Sequence, residues 1–483
     1  MRRAAVRRAA AAGVALVGVL GTACSGGQGT FRSATPSAGP SQRSGSGPLT
    51  SGPQTSPPSD CPASYAAPDP GRPRIRLSFD VADDLATVRG TEHVVFTPDL
   101  PVRELVFRLT ANTDPSAQEG NSITVESATV NPGGPPFRLE PAGAGGQTQG
   151  GLLTIPLTGE VPAGQQVTVD IAFTLHLGDG AFDRFGRFRT YAWWGSGEPL
   201  LAWERGVGWH REPMLRFTGE SATSEAADVD LTVTAPGRFT VLASGTPDAP
   251  ADAGGGRRRW HSVAGTARDV SVAVGPFTVK DGTVDGTRLR VGTPHGQPPD
   301  RLYADHTRAI RELAKRFGPF PFPVLTVARL PLDGGGIEYP GSILMLADAE
   351  LVVVHETAHQ WFYGMVGDSQ ARDPWLDEAF ATYAEQQVDR DGDQSALNLP
   401  GKVGTSMTGW GTDEHGYYDT VYGKGAAALA AARTAAGPGR FDAALRCYVN
   451  ANAWRIARPA DLARALAGLP AALAVLRRAG ALP

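Results

Sequence analysis

The sequence has little net charge, few cysteines and no long apolar run after its first residues. The formal net charge is −4 over 483 residues. Such a chain lacks the basic surface that phosphate backbones require, so nucleic acid is not expected as a partner. No stretch after residue 24 is apolar over the roughly 20 residues that a membrane-spanning helix needs, which argues against a mature integral membrane protein. Hydrophobic residues make up 41% of the chain, enough for packed cores, and this length predicts two or three domains.

The first 24 residues have the layout of a secretory signal. Four arginines between residues 2 and 8 precede an apolar stretch from Ala9 to Leu20, and small residues follow. This order predicts a signal peptide over residues 1–24 and an extracytoplasmic location. The run from Leu20 to Cys24 resembles the lipobox of bacterial lipoproteins, which predicts a lipid anchor on Cys24 as the only membrane attachment. Plain secretion is the alternative.

The rest of the chain divides by composition and periodicity. Residues 25–60 are dominated by Gly, Ser, Pro, Thr and Gln, which predicts a disordered linker. Apolar and polar residues alternate from about residue 72 to 291, so we assign residues 61–296 to an antiparallel β domain. A helical period then begins near residue 299, and residues 297–483 form the second domain. The expected fold class is α+β, with a β-sandwich or saddle domain before a mostly helical domain.

Three cysteines occur in the whole chain. Cys24 is lost from the thiol count whether it is lipidated or removed with the signal peptide. Cys61 and Cys447 then remain, and an oxidising exterior permits them to pair. Parity alone does not decide the matter, so a disulfide and two free thiols both stay open.

His355, Glu356 and His359 form an HExxH pattern inside an apolar run that favours a helix. Residues four apart share one helix face, so both imidazoles can reach one metal ion while Glu356 faces a water on that ion. Glu378 follows after eighteen intervening residues and opens the next predicted helix. Two histidines and one carboxylate leave a position open for water, as catalytic zinc sites do. We therefore expect one Zn²⁺ per chain on His355, His359 and Glu378, with Glu356 as the catalytic base.

These motifs resemble the M1 family of zinc aminopeptidases. The third ligand lies in WLDEAFATYAE, residues 335–339 (GGIEY) lie where the family has its glycine-rich exopeptidase motif, and residues 421–426 (VYGKGA) resemble the segment with its catalytic tyrosine. The resemblance extends from about residue 301 to 467. It implies a thermolysin-like zinc peptidase domain that removes N-terminal residues from peptides with a free amino terminus.

The resemblance also implies roles for single residues. Glu338 is expected to bind the α-ammonium group of the substrate through a charge-assisted hydrogen bond, with Gly335 and Gly336 at the same substrate position. Tyr422 is expected to donate a hydrogen bond to the oxyanion of the tetrahedral intermediate. Glu204 in the β region is a weaker candidate for a second contact to the ammonium group.

Some features depart from the family pattern. Tyr339 replaces the usual Asn, and Asp377 and Ala379 replace the commoner Asn and Gly. The chain ends at Pro483 without the large C-terminal helical domain of longer members, so a more open cleft is expected. Two alternatives stay open: a zinc endopeptidase in which Glu338 has no ammonium group to bind, and a non-catalytic lipoprotein that binds a surface or ligand.

Overall fold

The computed structural model describes residues 61–130, 134–179, 184–213, 223–389 and 392–483. The predicted signal peptide, Cys24 and the predicted linker lie outside the described residues. All the described residues belong to one compact unit, Pro57–Pro483. Within them, no helix is long and apolar enough to cross a membrane.

The N-terminal region is a β-sandwich. Its largest sheet has the order β15-β17-β13-β1-β2-β7-β4, with β16 also on β17, and a second sheet of order β10-β3-β6-β5 packs against it through a shared core. A four-stranded sheet, β14-β18-β9-β8, and the β11-β12 pair complete the region. The strands are β1 (Arg74–Val81), β2 (Thr87–Phe96), β3 (Val102–Arg108), β4 (Ser122–Val130), β5 (Arg138–Glu140), β6 (Leu152–Val161), β7 (Val167–His176), β8 (Phe185–Phe188), β9 (Tyr191–Gly195), β10 (Leu200–Leu201), β11 (Trp203–Glu204), β12 (Gly208–Trp209), β13 (Ala227–Pro236), β14 (Thr240–Ala243), β15 (Thr246–Pro247), β16 (Ala251–Gly254), β17 (Arg257–Ala267) and β18 (Ser271–Gly275).

The alternation in the sequence corresponds to these strands. In β1, the side chains of Leu77, Phe79 and Val81 are buried, while the residues between them are exposed or half-buried. Successive side chains of a strand point to opposite faces of the sheet, so a period of two gives one apolar face. That face packs on the second sheet, where Phe107 of β3 lies in the same core.

The helical region includes a five-stranded sheet of order β19-β20-β21-β23-β22, in which β22 is an edge strand. Its strands are β19 (Phe277–Val284), β20 (Thr287–Pro294), β21 (Val324–Arg329), β22 (Gly336–Tyr339) and β23 (Ser342–Met345). The helices are α1 (Asp114–Gln118, within the β region), α2 (Asp300–Phe317), α3 (Glu350–Ala358), α4 (Trp375–Asp389), α5 (Met407–Trp410), α6 (Glu414–Tyr417), a π-helix (Tyr418–Lys424), α7 (Gly425–Ala436), α8 (Pro438–Asn452), α9 (Pro459–Ala465) and α10 (Pro470–Arg478), with 3₁₀ turns at Thr110–Asn112 and Gln394–Asn398.

The predicted domain boundary after residue 296 cuts the five-stranded sheet. β20 pairs in parallel with β21, and Leu289 and Val291 of β20 lie in the same core as α2. By sheet membership, the change of region therefore falls between Gly275 and Phe277. A period of two identifies a strand but not the sheet that the strand joins. The sequence therefore placed β19 and β20, which pair with each other, in the β domain.

An N-terminal arm before β1 packs on the helical region. Cys61 forms a disulfide with Cys447 of α8, 386 residues later in the chain. Ala66 donates its backbone N–H to the carbonyl of Asn450 at 2.8 Å. The two cysteines that the sequence left open are therefore paired, and the arm is fixed to α8.

Candidate active site

Helices α3 and α4 bring the three predicted metal ligands together. His355 lies in the last turn of α3, and His359 is the first residue after that helix. His359 keeps helical dihedral angles (φ −58°, ψ −16°), so the four-residue spacing places both rings on one face. Glu378 lies in the first turn of α4. Its Oε2 atom is 3.4 Å from His355 Nε2 and 3.5 Å from His359 Nε2.

These separations fit a tetrahedral zinc ion. With ligand bonds of about 2.0–2.1 Å, tetrahedral geometry places two ligand atoms about 3.3–3.4 Å apart. Glu378 Oε2 is buried and has no hydrogen-bond partner among the described residues. A buried carboxylate oxygen between two imidazole nitrogens is costly without a compensating charge, and a divalent cation supplies one. The donor set therefore suits zinc.

Two further carboxylates orient the imidazole rings. His359 Nδ1 lies 2.5 Å from Asp377 Oδ1, and His355 Nδ1 lies 3.3 Å from Glu385 Oε2. Each carboxylate engages Nδ1 and leaves Nε2 facing Glu378, which is the usual arrangement around metal-binding histidines. Sequence reasoning noted Asp377 only as a departure and missed Glu385. Glu385 lies seven residues after Glu378, two turns later on the same face of α4, and this spacing could have identified it.

Glu356 lies on α3 with its carboxyl group against Gly336. A Cβ atom at Gly336 would come within 2.4 Å of Glu356 Cγ. Burial and the negative charge of Glu338 raise the pKa of Glu356, and the charge of His355 opposes this shift. Gly336, predicted at the substrate position, thus also makes room for the predicted base. The carbonyl of Gly335 accepts a hydrogen bond from the Leu346 backbone, which holds the start of β22 beside β23.

Glu338 lies on the edge strand β22. Its side chain is buried, and Oε1 has no hydrogen-bond partner among the described residues. The next residue, Tyr339, is fully buried and points into the β region, where its phenol accepts a hydrogen bond from Arg184 at 3.3 Å. A Cβ atom on Gly195 of β9 would overlap this phenol. The tyrosine that replaces the usual Asn therefore fixes β22 to β9.

Tyr422 lies in the π-helix, beside the predicted metal ligands. Its ring stacks on that of His355, with centroids 6.0 Å apart and an interplanar angle of 6°. Burial and then the charge of Glu378 raise the pKa of Tyr422 well above its usual value, so the phenol keeps its proton. π-Helical turns occur frequently at functional sites, and this one turns Tyr422 toward the cluster.

Glu204 has partners other than a substrate. Its buried carboxylate contacts His210 Nε2 at 2.6 Å, Arg458 Nη2 at 2.9 Å and Arg372. Both oxygens are therefore engaged by side chains, two of which come from the helical region. The weaker candidate for ammonium binding instead belongs to an ion cluster between the β region and the helical region.

Comparisons with known proteins agree with this geometry. Residues 341–408 match the model of the peptidase family M1 domain, a span that includes Glu356 and the three predicted ligands. Aminopeptidase M1-D of Oryza sativa subsp. japonica is 28% identical over 232 residues, which are 40% of this chain and 27% of that protein. Aminopeptidase M1 of Arabidopsis thaliana is 31% identical over 135 residues, 24% of this chain and 15% of that protein. The chain thus spans about a quarter or less of the length of these relatives.

Solved structures match over most of the chain. An M1 zinc metallopeptidase from Deinococcus radiodurans has a TM-score of 0.64 and 20% identity, covering 84% of this chain and 92% of that one. A mutant of the same enzyme bound to a Tyr-Ser-Ala substrate has the same score and identity, with 85% and 94% covered. The chain therefore has the fold of the M1 zinc metallopeptidases, and its segment 341–408 carries the sequence pattern of the M1 peptidase domain.

Proposed function

We propose that this protein is a zinc-dependent aminopeptidase that removes N-terminal residues from peptides. The observation that carries the proposal is the buried oxygen of Glu378, which lies 3.4 and 3.5 Å from two imidazole nitrogens. Glu356 and Tyr422 border the same cluster. A zinc ion on His355, His359 and Glu378 supplies, when bound, a Lewis acid for the scissile carbonyl and lowers the pKa of a water.

The protein's own residues move the protons in this proposal. Glu356 accepts a proton from the attacking water and returns it to the amine nitrogen as the C–N bond breaks, so its carboxylate is regenerated. Tyr422 keeps its proton and donates a hydrogen bond to the developing oxyanion. Glu338 binds the α-ammonium group, so that the first peptide bond reaches Glu356.

The assignment to an aminopeptidase rests on Glu338. Its buried, unpartnered Oε1 offers a charge-assisted hydrogen bond to an ammonium group. The peptide Tyr-Ser-Ala bound to the Deinococcus radiodurans enzyme is a short substrate, and short peptides with a free amino terminus are the class that we propose here. An endopeptidase on the same residues needs no ammonium group, and blocked peptides distinguish the two.

The deciding experiment uses one peptide in two forms, with a free and with an acetylated amino terminus, in the presence and absence of a chelator. We expect zinc-dependent cleavage of the free peptide only. The Glu356→Gln variant is the matched control, because it keeps all three ligands but lacks a proton acceptor. Equal cleavage of both peptides identifies an endopeptidase, and chelator-resistant cleavage refutes the zinc mechanism.

We also propose that the protein is exported and carries a lipid on Cys24. The arginine-rich, apolar start and the run from Leu20 to Cys24 support export and lipidation. The Cys61 to Cys447 disulfide is typical of an oxidising compartment outside the cytoplasm. The test is expression in a bacterium that processes lipoproteins: the wild type should fractionate with membranes, and Cys24→Ala should not. Equal fractionation of both refutes the anchor.

A further inference from the structure

The connection between β17 and β18 places Arg268 and Asp269 against the turn that follows His359. Arg268 is buried, and its guanidinium donates to the carbonyls of Tyr363 at 3.0 Å, Arg455 at 2.8 Å and Ser224 at 3.0 Å. These acceptors include two segments of the helical region. The guanidinium is also closely enclosed, since a Cβ atom on the neighbouring Gly367 would lie 2.2 Å from its Cζ atom.

Tyr363 has a strained backbone. Its φ angle is +104°, a region that bulky L-residues rarely adopt and that persists only where surrounding contacts impose it. Two contacts from the β region impose it here: Arg268 binds the Tyr363 carbonyl, and Asp269 Oδ2 accepts a hydrogen bond from the Tyr363 phenol at 2.7 Å. Ser196 Oγ donates to the same carboxylate oxygen at 2.8 Å. Tyr363 is therefore held at both its backbone and its side chain.

The turn that contains Tyr363 contacts the predicted ligand His359 directly. His359 Nδ1 lies 3.2 Å from the carbonyl oxygen of Phe362, and Gly364 donates its N–H to the His359 carbonyl at 2.8 Å. Phe362 and Gly364 flank Tyr363 in the chain, so the conformation of Tyr363 sets the positions of both. Displacing this residue would therefore shift an acceptor at Nδ1 and the hydrogen bond that closes the turn on His359.

We propose that Arg268 and Asp269 are positioning residues, through which the β region holds His359 in its metal-binding orientation by fixing Tyr363. The inference rests on the proposed function in one respect, namely that His359 binds zinc. It adds a dependence between regions: the affinity of the metal site is set partly by side chains outside the helical region that carries the ligands.

The test measures how fast zinc is lost to an excess of chelator. Tyr363→Phe removes only the phenol that binds Asp269, and we expect zinc loss about 10-fold faster, the lower end of the effect of residues that support metal ligands. At saturating zinc, kcat should fall with KM unchanged, and the visible spectrum of the cobalt-substituted protein should shift. Asp269→Asn keeps an oxygen that can accept from the Tyr363 phenol, so this variant should lose zinc at nearly the wild-type rate.

Tyr448→Phe is the matched control, since the Tyr448 phenol is buried and has no hydrogen-bond partner among the described residues. It should lose zinc at the wild-type rate. Equal zinc-loss rates and cobalt spectra for Tyr363→Phe and Tyr448→Phe would overturn the proposal. A wild type that binds zinc but cleaves no peptide refutes the proposed function alone and leaves this comparison intact. A wild type that binds no metal refutes both.

Discussion

Gly336 of β22 and Glu356 of α3 are in van der Waals contact, and a side chain at residue 336 would occupy the space of the glutamate: its Cβ would lie 2.4 Å from Glu356 Cγ and 2.6 Å from Cδ. The edge strand that carries Glu338 and the helix that carries the proposed base therefore approach each other at a residue without a side chain. The position of Glu356 depends on this glycine.

Gly336→Ala should displace the Glu356 carboxyl group and lower kcat about a hundredfold, the effect of a shift of roughly 1 Å in a catalytic group. Zinc content should not change, because no ligand moves. Steady-state kinetics and metal analysis check both expectations. Gly439→Ala, at a glycine with open space around it, is the control. An unchanged kcat in Gly336→Ala would show that Glu356 tolerates the methyl group.

Removal of one proposed ligand should release the metal. We expect His355→Ala and Glu378→Ala to retain no zinc after dialysis, since two remaining ligands leave the site underfilled. Glu385→Gln should keep zinc with about 10- to 100-fold weaker affinity, because the amide oxygen still accepts from His355 Nδ1 but carries no charge. Metal analysis and chelator competition measure these effects. Full occupancy in both alanine variants would contradict the ligand assignment.

Tyr422→Phe should lower kcat by about a hundred- to a thousandfold, as the loss of one oxyanion donor does elsewhere. The stacked ring on His355 is preserved in this variant, so zinc binding should be unaffected. Kinetics at saturating peptide separate kcat from KM. An effect on KM alone would make Tyr422 a substrate-binding residue instead.

Glu338→Ala should reduce kcat/KM for a free-amine peptide by roughly thirty- to several thousandfold, corresponding to about 2–5 kcal/mol for a desolvated charge pair. Cleavage of the acetylated peptide should stay at its low level. The ratio of kcat/KM between the free and the acetylated peptide should thus decrease, because only the activity on the free peptide is lost. A uniform decrease with both peptides would indicate a disturbed β22 instead of a lost ammonium contact.

The ion cluster around Glu204 predicts acid-sensitive stability. Burial alone would raise the pKa of Glu204, but hydrogen bonds from His210 and Arg372 and the charge of Arg372 lower it to about 2. A carboxylate with a lowered pKa stabilises the folded state above its unfolded value, and that contribution is lost between about pH 4.5 and pH 2. Burial alone would lower the pKa of His210, but hydrogen bonds with Glu204 and Glu212 raise it. The contribution of His210 to stability is therefore present below its ordinary pKa of 6.5 and is lost as the pH rises through its folded pKa.

Glu204→Gln should therefore unfold more easily at pH 6, by about 1.5–3 kcal/mol, and lose less further stability on acidification than the wild type. Denaturant titrations from pH 2 to pH 6 measure both. Glu160→Gln, which removes an exposed ion pair with Arg103, should cost under about 1 kcal/mol. Parallel curves for wild type and Glu204→Gln below pH 4.5 would contradict the assignment.

Local patterns predicted more of this molecule than its long-range contacts. The α2 helix begins where the helical period near residue 299 predicted it, and the order of a β region before a helical region is confirmed. The HExxH spacing anticipated the approach of His355 and His359, because a helix fixes which residues share a face. The partners of Asp377 and the sheet of β20 depend on contacts between distant segments, which no local period encodes.

The disulfide between Cys61 and Cys447 also determines where a mechanical load on the chain is borne. Any force applied to the residues before Cys61 passes through the sulfur atoms into α8 before it reaches β1. β1 lies between β2 and β13 in the interior of its sheet, so pulling on it would break two ladders of hydrogen bonds. Because of this covalent link, a force on the N-terminal segment is transmitted to the helical region and does not act directly on the sheet that contains β1.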